Sequence, residues 1–478
     1  MLFNSLHFAF FLPVVFFLYW FLTKKNLKAQ NLLLLVSSYY FYACWDWRFL
    51  FLLLFSTFLD YITGLKIANS TNQLHRKFWF WLSIGVNLGF LGIFKYFDFF
   101  AASLASAFAS IHIHLDPWTL GLILPVGISF YTFHGLSYVI DIYHNKIKAE
   151  HNFVDYSLFV SFFPLLVAGP IERATHLLPQ IKKTRNFDYS QAVDGLRQIL
   201  WGLFKKVVIA DNCAEVANQI FNHSSDYNGM TLVLGAVMFS IQIYGDFSGY
   251  SDIALGTARL FGIELLKNFA FPYFSRDIAE FWRRWHISLS SWFRDYLYIP
   301  LGGSKVGVWK KVRNTFIIFV VSGFWHGANW TFIIWGFLNA LFILPSILSN
   351  TNRTNMQIVA CEKTFPNFKE VASIVLTFLL ATFAWIFFRA ESVVHAFQII
   401  QTIFSLSIIN APEILPKATL LLVIAFFIVE WFGRMGNYAL QFIFSGKPFL
   451  WRWSIYIALI ACVFFFTGKE QAFIYFQF

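Results

Sequence analysis

Residues 316–348 read FIIFVVSGFWHGANWTFIIWGFLNALFILPSIL. Two apolar runs, 316–324 and 332–348, lie on either side of a short interruption that contains His326. The second run approaches the length of a membrane-spanning helix, and the first is shorter. A short apolar segment is tolerated at membrane depth when it is buried in protein or lines a cavity. The stretch therefore predicts a helical membrane protein in which His326 lies deep.

The whole chain shares this apolar character. Of its 478 residues, 58% are hydrophobic, 21% are aromatic and only 13% are charged. A soluble core of this size would need more polar residues to cover its surface. The same composition excludes disorder, a coiled coil and a secreted disulfide scaffold. Because the apolar residues come in runs rather than in alternation, a β-barrel is disfavoured, and we expect an all-α polytopic membrane protein.

The apolar runs set the expected number of spans. Several are short or interrupted by glycine and proline, so not every run counts as a full span. We expect about eleven transmembrane helices plus re-entrant or interfacial helices, in a single integral membrane domain over residues 1–478. The runs are 8–22, 31–43, 49–65, 78–94, 120–140, 153–167, 192–210, 230–244, 316–324, 332–348, 371–388, 419–431 and 451–466.

Basic residues predict the orientation of the spans, because Lys and Arg are enriched in cytoplasmic loops. The first run is followed by Lys24, Lys25 and Lys28, whereas no Lys or Arg precedes it. That charge order is the reverse of a signal peptide and predicts an uncleaved first span with the N-terminus outside. The polar stretch 262–313 holds nine Lys or Arg and four acidic residues, and we expect it to be cytoplasmic too. The net charge of +11 is thereby assigned to membrane orientation rather than to nucleic-acid binding.

Two aspartates bound an unusual glycine-containing segment. Asp246 and Asp252 stand at the ends of DFSGYSD, which follows the apolar run 230–244. Ionisable groups inside a membrane are costly and are functional candidates by default. One hypothesis places the two carboxylates along a substrate passage. The alternative, which the residues alone leave open, is that they hold helices together through hydrogen bonds.

Two of the twelve histidines stand apart from those at run ends and in loops. His326 closes the run 316–324, and Gly323 and Gly327 beside it leave room for a substrate. Imidazole takes and returns a proton near neutral pH, so a buried histidine is suited to deprotonating a hydroxyl for acyl transfer. The alternative is a structural histidine near Asn329.

The second histidine, His286, lies in residues 281–296, which read FWRRWHISLSSWFRDY. The aromatic residues of this stretch suit a lipid environment, and its basic residues suit water or an anion. By itself the pattern is also typical of an interfacial amphipathic helix. The residue types alone do not decide between an interfacial helix and a site.

Seven short motifs, taken in order, resemble the membrane-bound O-acyltransferase (MBOAT) family. The resemblance is to its bacterial branch of alginate O-acetyltransferases and peptidoglycan O-acetyltransferases A, and it covers most of the chain. Any one motif would be weak, and the order of all seven carries the resemblance. They are LPVGISFY at 124–131, AGPI at 168–171, KKVVIAD at 205–211, GYSD at 249–252, the block 282–303 that ends in YIPLGG, FWHG at 324–327 and WIFFR at 385–389.

The resemblance implies a funnel-shaped helical body with two functional histidines. His326, in the Trp-His-Gly motif, matches the catalytic histidine of the family. His286, in the Arg-Trp-His-Ile-Ser motif, matches the second one, to which we assign a supporting or donor-side role. No metal site and no bound cofactor are expected. The residues expected to shape or line the passage are Trp325, Asn329, Asp246, Asp252, Trp282, Arg294 and Asp295.

The implied reaction is O-acetyl transfer to an envelope polysaccharide, peptidoglycan or alginate-like. The acetyl group would leave a cytoplasmic thioester, with acetyl-CoA as co-substrate, and cross the inner membrane to an extracytoplasmic acetyl-transferring partner. We further expect contact with membrane lipids and none with nucleic acid. Two alternatives stay open. One is D-alanyl transfer to teichoic acid within the same family, and the other is solute transport, which intramembrane aspartates and broken helices would suit.

Overall fold

The computed structural model describes residues 1–24, 26–167, 169–443, 446–469 and 471–474. All regular structure within these ranges is helical, so the predicted all-α class is confirmed. Lys25 of the predicted basic cluster and Ala168 of the AGPI motif lie outside the described residues.

The helices range from single turns to a helix of 32 residues. Within the described ranges, π-helical turns occupy Leu18–Leu22, Gly92–Tyr96, Phe204–Ala210 and Arg294–Tyr298, and 3₁₀ turns occupy Ser224–Asp226, Pro272–Phe274 and Leu406–Ile409. The α-helices, in chain order, are α1 Leu6–Phe17, α2 Leu27–Ala43, α3 Trp47–Asn69, α4 Gln73–Leu91, α5 Phe97–Ala109, α6 Ile128–Tyr143, α7 Phe153–Ser161, α8 Phe163–Leu166, α9 Ala174–Ile181, α10 Tyr189–Leu203, α11 Asp211–Asn222, α12 Gly229–Leu260, α13 Ile278–Arg284, α14 Ile287–Phe293, α15 Val308–His326, α16 Trp330–Leu348, α17 Phe368–Arg389, α18 Val393–Ile403, α19 Lys417–Gly433, α20 Leu440–Ile443 and α21 Phe449–Phe465.

Several helical segments are long and apolar enough to cross a membrane. Among the described residues there are five such segments, and α4 and α5 form one of them together with the π-helical turn between them. A multi-pass membrane protein is thereby confirmed, whereas the number of eleven spans stays a prediction. Shorter apolar helices occur at Leu6–Leu22, Val393–Ile403 and Phe449–Phe465. The five segments are Trp47–Asn69, Gln73–Ala109, Gly229–Leu260, Trp330–Leu348 and Phe368–Arg389.

Helix α3 shows how these segments accommodate polar groups. Its Asp60 is 1% exposed and accepts hydrogen bonds from Ser83 Oγ at 2.6 Å and Asn87 Nδ2 at 2.8 Å, both on α4. Elsewhere on α3, Phe51 and Phe58 are 63% and 56% exposed. Exposed aromatic rings at this density are unfavourable in water and suit contact with lipid. Asp60 therefore links two membrane helices, as buried polar residues commonly do there.

The chain divides into two compact units. The first comprises Met1–Gly195 and Thr257–Leu266, and the second comprises Leu196–Gly256 and Lys267–Phe478. Both candidate histidines belong to the second unit. Compact clusters of helices within one membrane protein do not by themselves define separate domains, so the single domain over 1–478 stays a prediction.

Helices α15 and α16 of the second unit pack with their backbones in contact. A Cβ added at Gly323 would overlap the carbonyl oxygen of Phe332. One added at Gly336 would overlap the carbonyl oxygen of Phe319. Small residues permit this close approach between membrane helices. Phe332 fills the space beside Gly323 and Gly327, so the expectation that these glycines leave room for a substrate was wrong. The contact positions His326, the last residue of α15, beside α16.

Candidate active site

His286 and His326 line the same cavity in the second unit, although they stand 40 positions apart in the sequence. The cavity has a volume of ≈ 130 Å³. Its polar lining consists of the two imidazoles and two serine hydroxyls, and the rest is aromatic or aliphatic. The lining residues are Trp282, Trp285, His286, Leu289, Ser290, Phe293, Ile318, Phe319, Ser322 and His326.

Aromatic rings surround the imidazole of His326, which is 4% exposed. The ring of Trp335 lies 5.1 Å from it with an interplanar angle of 87°, and the ring of Phe388 lies at 5.3 Å with an angle of 69°. Trp335 and Phe388 come from α16 and α17, so three helices fix the position of the imidazole. Edge-to-face packing of this kind restricts ring rotation and excludes water.

His286 holds an unusual backbone conformation at the start of α14. Its φ of 42° lies in the left-handed region, which is strained for a residue other than glycine. Such strain occurs often at functional sites. The side chain is 1% exposed, and the ring of Phe247 packs edge-on against it at 4.7 Å.

Asn268 fixes the segment around His286. Its Oδ1 lies 3.3 Å from His286 Nδ1 and accepts a hydrogen bond from Ser288 Oγ at 2.6 Å. Its backbone carbonyl accepts a hydrogen bond from Ile287 N at 2.9 Å. With the amide oxygen as acceptor, the neutral imidazole carries its proton on Nδ1, and Nε2 is the basic nitrogen.

Two tryptophans predicted to line the passage lie close to the histidines. Trp282 lines the cavity, and its Nε1 donates a hydrogen bond to Asn339 Oδ1 at 3.2 Å. The ring of Trp325 lies 4.9 Å from the ring of His326 and 6.2 Å from that of His286. The structure therefore brings these four predicted residues together.

Asn329 has a different place, at the start of α16. Its Oδ1 accepts a hydrogen bond from Thr331 N at 3.0 Å, which is the geometry of a helix N-cap. Its Nδ2 donates a hydrogen bond to the carbonyl oxygen of Glu391 at 3.0 Å. Asn329 thus holds the end of the helix that carries Trp335, and it is not among the residues that line the cavity described above.

Asp246 and Asp252 both lie in ion pairs with consecutive lysines. Asp246 Oδ1 lies 2.9 Å from Lys206 Nζ, which also lies 2.7 Å from Asp211 Oδ1. Asp252 Oδ2 lies 2.5 Å from Lys205 Nζ. Both lysines are at most 3% exposed, in the π-helical turn Phe204–Ala210. The motifs KKVVIAD and GYSD thus meet in the fold, and the predicted tunnel-lining role of the aspartates stays a prediction.

Arg294 and Asp295 pair with each other near solvent. Arg294 Nε lies 2.7 Å from Asp295 Oδ1, and the side chains are 61% and 31% exposed. They begin the π-helical turn Arg294–Tyr298, and neither lines the cavity between the histidines. An exposed ion pair of this kind contributes little to stability.

Sequence reasoning missed several residues of the site. Phe319 and Ser322 precede His326 by seven and four positions, a spacing that puts all three on one face of a helix. This helical spacing could have been recognised in the sequence. Asn268 gave no comparable signal, because an asparagine in a long polar stretch is ordinary and its contact with His286 depends on the chain folding back.

Comparison with known proteins identifies the family. The model of the membrane-bound O-acyltransferase family matches residues 144–380. A protein of Pseudomonas aeruginosa named "Probable alginate O-acetylase AlgI" is 39% identical over 441 residues, which cover 91% of this chain and 81% of the relative. The chain belongs to the membrane-bound O-acyltransferase family. It is therefore an acyltransferase, and the resemblance carried by the seven motifs is confirmed.

Two further relatives bear on the acyl group. The peptidoglycan O-acetyltransferase of Helicobacter pylori is 37% identical over 430 residues, which cover 84% of this chain and 79% of the relative. The teichoic acid D-alanyltransferase of Streptococcus thermophilus is 32% identical over 240 residues, which cover 47% of this chain and 57% of the relative. The similarity to proteins named for acetyl transfer thus extends over more of the chain than the similarity to this D-alanyltransferase.

Proposed function

We propose that the protein transfers an acetyl group from a thioester to hydroxyl groups of an envelope polysaccharide. The observation that carries the proposal is the cavity of ≈ 130 Å³ that His286 and His326 share. A cavity of about 150 Å³ in a protein core binds a molecule the size of benzene, so an acetyl group fits here. The relatives named for alginate and peptidoglycan O-acetylation support both the acetyl group and a polysaccharide acceptor.

In this proposal His326 is the general base. Its imidazole takes the proton of an acceptor hydroxyl, and the oxygen attacks the thioester carbonyl carbon. A C–O bond forms, the C–S bond breaks, and the leaving thiolate takes up the proton. The rings of Trp335 and Phe388 keep water from the reacting atoms and so limit hydrolysis of the thioester.

An acyl-histidine route would use the same residue. A ring nitrogen of His326 attacks the carbonyl carbon, the C–S bond breaks, and the acceptor hydroxyl then displaces the imidazole. Mass spectrometry of rapidly quenched protein distinguishes the two routes. A labelled acetyl group on His326 supports the covalent route, whereas normal transfer without such a species supports general-base catalysis.

His286 takes the supporting, donor-side role. Asn268 holds the His286 ring in one tautomer, so that Nε2 can accept a hydrogen bond from the acyl donor, acetyl-CoA. Among the cations of the stretch 262–313, Lys305 and Lys310 are exposed to solvent. Arg284, by contrast, already forms an ion pair with Glu280 at 2.8 Å. The exposed lysines are therefore our candidates to bind the phosphates of acetyl-CoA, since an ammonium group pairs readily with phosphate.

The cellular arrangement follows the charge distribution. We place the protein in the inner membrane with its N-terminus outside and the basic stretch 262–313 in the cytoplasm, where acetyl-CoA is found. The acetyl group then leaves on the outer side to an extracytoplasmic acetyl-transferring protein and from there to the polysaccharide. This direction is supported by the charge pattern and by the family resemblance.

Purified protein in proteoliposomes tests the reaction. Acetyl-labelled acetyl-CoA is supplied with peptidoglycan or alginate fragments and the extracytoplasmic acetyl-transferring protein, and free thiol and acetyl ester are measured together. We expect one thiol for each ester formed, and no reaction with a D-alanyl carrier protein. Consumption of the D-alanyl thioester alone, or ion and solute flux without thioester cleavage, would contradict the proposal.

A further inference from the structure

The first compact unit contains a second cavity, with a volume of ≈ 300 Å³. Its aromatic walls come from two chain segments, and its polar lining consists of Lys24, Gln30, Arg185 and Asn186. Phe16, Trp20 and Phe21 come from α1 and the π-helical turn that follows it, and Phe187 comes from the segment after α9. Phe187 packs edge-on against Phe16 at 6.0 Å and against Trp20 at 5.5 Å. The walls are thus fixed by contacts within the unit.

A buried guanidinium group lines this cavity. Arg185 is 9% exposed, its Nη2 donates a hydrogen bond to Asn31 Oδ1, and its Cζ lies 5.6 Å from the centre of the Tyr19 ring. In the part of the chain that the structure describes, neither Nε nor Nη1 of Arg185 has a hydrogen-bond acceptor. The nearby carboxylate of Asp155 accepts its hydrogen bond from Asn31 Nδ2 at 2.8 Å.

Two buried charged donors without acceptors are costly, and a ligand that supplies oxygen acceptors would remove that cost. Guanidinium groups match phosphate oxygens in a bidentate geometry. A second cation, the exposed Lys24, lines the same cavity. Together Arg185 and Lys24 favour an anion.

The surroundings of the cavity favour a lipid as the source of that anion. Phe21 and Phe187 are 67% and 50% exposed at its walls, so apolar surface continues from the cavity outward. A soluble anion would leave these rings exposed, whereas an acyl chain would cover them. Basic pockets between membrane helices on the cytoplasmic side commonly bind anionic lipid headgroups.

We propose that this cavity binds an anionic phospholipid, with the phosphate on Arg185 and Lys24 and an acyl chain along Phe16, Phe21 and Phe187. The bound lipid would fix the start of α2, which carries Asn31, to the segment at Arg185. The site is separate from the residues that line the cavity of the two histidines, and it does not depend on the proposed acetyl transfer.

Native mass spectrometry of the full chain in mild detergent tests this site. The protein is titrated with phosphatidylglycerol and, separately, with phosphatidylcholine of the same acyl chains. We expect preferential retention of phosphatidylglycerol. Replacing one basic residue near a membrane surface lowers its affinity for anionic lipid about fivefold, so K24Q and R185Q should each show a loss of at least that size.

The matched control is K183Q, because Lys183 is exposed, lies two positions from Arg185 and does not line the cavity. It should bind phosphatidylglycerol like the wild type. Because Lys24 is exposed, K24Q tests the site even if R185Q fails to fold. Equal retention of the two lipids, or an equal loss in K183Q and K24Q, would overturn the proposal. Displacement of the lipid by millimolar inorganic phosphate or CoA would assign the site to a soluble anion instead and overturn it as well.

Discussion

Replacing Asn268 by leucine should slow catalysis while preserving the fold. Leucine has nearly the same shape as asparagine but accepts no hydrogen bond. The N268L variant therefore leaves the buried Ser288 hydroxyl and the Nδ1 proton of His286 without their acceptor at 2.6 and 3.3 Å. The backbone hydrogen bond from Ile287 N to the Asn268 carbonyl remains.

The size of the effect follows from these contacts. A buried donor that loses its acceptor costs about 1–3 kcal/mol. If the His286 ring must recover its orientation in the transition state, the same energy appears in the barrier, which corresponds to a loss in kcat of about 5- to 150-fold. KM for acetyl-CoA should change less than kcat, because we assign the binding of the donor phosphates to Lys305 and Lys310, whereas Asn268 acts only through His286.

The assay is the initial rate of acetyl transfer in proteoliposomes over a range of acetyl-CoA concentrations, with Tm measured in parallel. The S288A variant is the matched control, because it removes the other partner of Asn268 and leaves the contact with His286 intact. S288A should lower Tm but keep kcat within about twofold of wild type. Wild-type kcat in N268L, or an equal loss of kcat in both variants, would refute a positioning role for Asn268.

Three further predictions concern packing, charge and pH. G336A should lower the free energy of unfolding by about 1–3 kcal/mol, because its Cβ overlaps a carbonyl oxygen of α15; a Tm equal to wild type would contradict this close contact. K206M should lower the free energy of unfolding by about 3–5 kcal/mol, because it leaves the buried carboxylates of Asp211 and Asp246 without their shared cation. An unchanged Tm in detergent would contradict the burial of this ion cluster. The Glu172 carboxylate, 2.8 Å from His176 Nδ1, raises the pKa of His176. That contact stabilises the fold fully below about pH 6.5, and its stabilising effect is lost as the pH rises through the raised pKa of His176. The Tm difference between wild type and H176Q should therefore shrink with rising pH, and a difference that grows would contradict this ion pair.

The class of fold was predictable because it depends on local composition. Long apolar runs such as 332–348 have few stable environments other than a membrane or a protein core, and the structure forms α16 there. The helical spacing of Phe319, Ser322 and His326 likewise places them together on α15 without knowledge of the rest of the fold. The N-cap at Asn329 could also have been predicted, since asparagine favours that position and stands three residues before the apolar run 332–348.

The contacts between distant segments were not predictable in this way. Sequence alone gives the same pattern for a carboxylate that lines a passage and for one held by a lysine. The pairs Asp246–Lys206 and Asp252–Lys205 depend on how the π-helical turn Phe204–Ala210 meets α12. The approach of His286 to the cavity of His326 similarly needs the left-handed backbone at His286 and the support of Asn268.

If His326 carries out the acyl transfer from within its aromatic cavity, removal of its imidazole must slow transfer far more than removal of an exposed one. The most direct measurement compares H326A with H223A, a control at an exposed histidine of the same unit, for the initial rate of labelled acetyl transfer. A general base contributes about 10²- to 10⁴-fold to the rate, so H326A should be at least a hundredfold slower while H223A matches wild type. Full transfer by an H326A protein with wild-type Tm would contradict catalysis by His326.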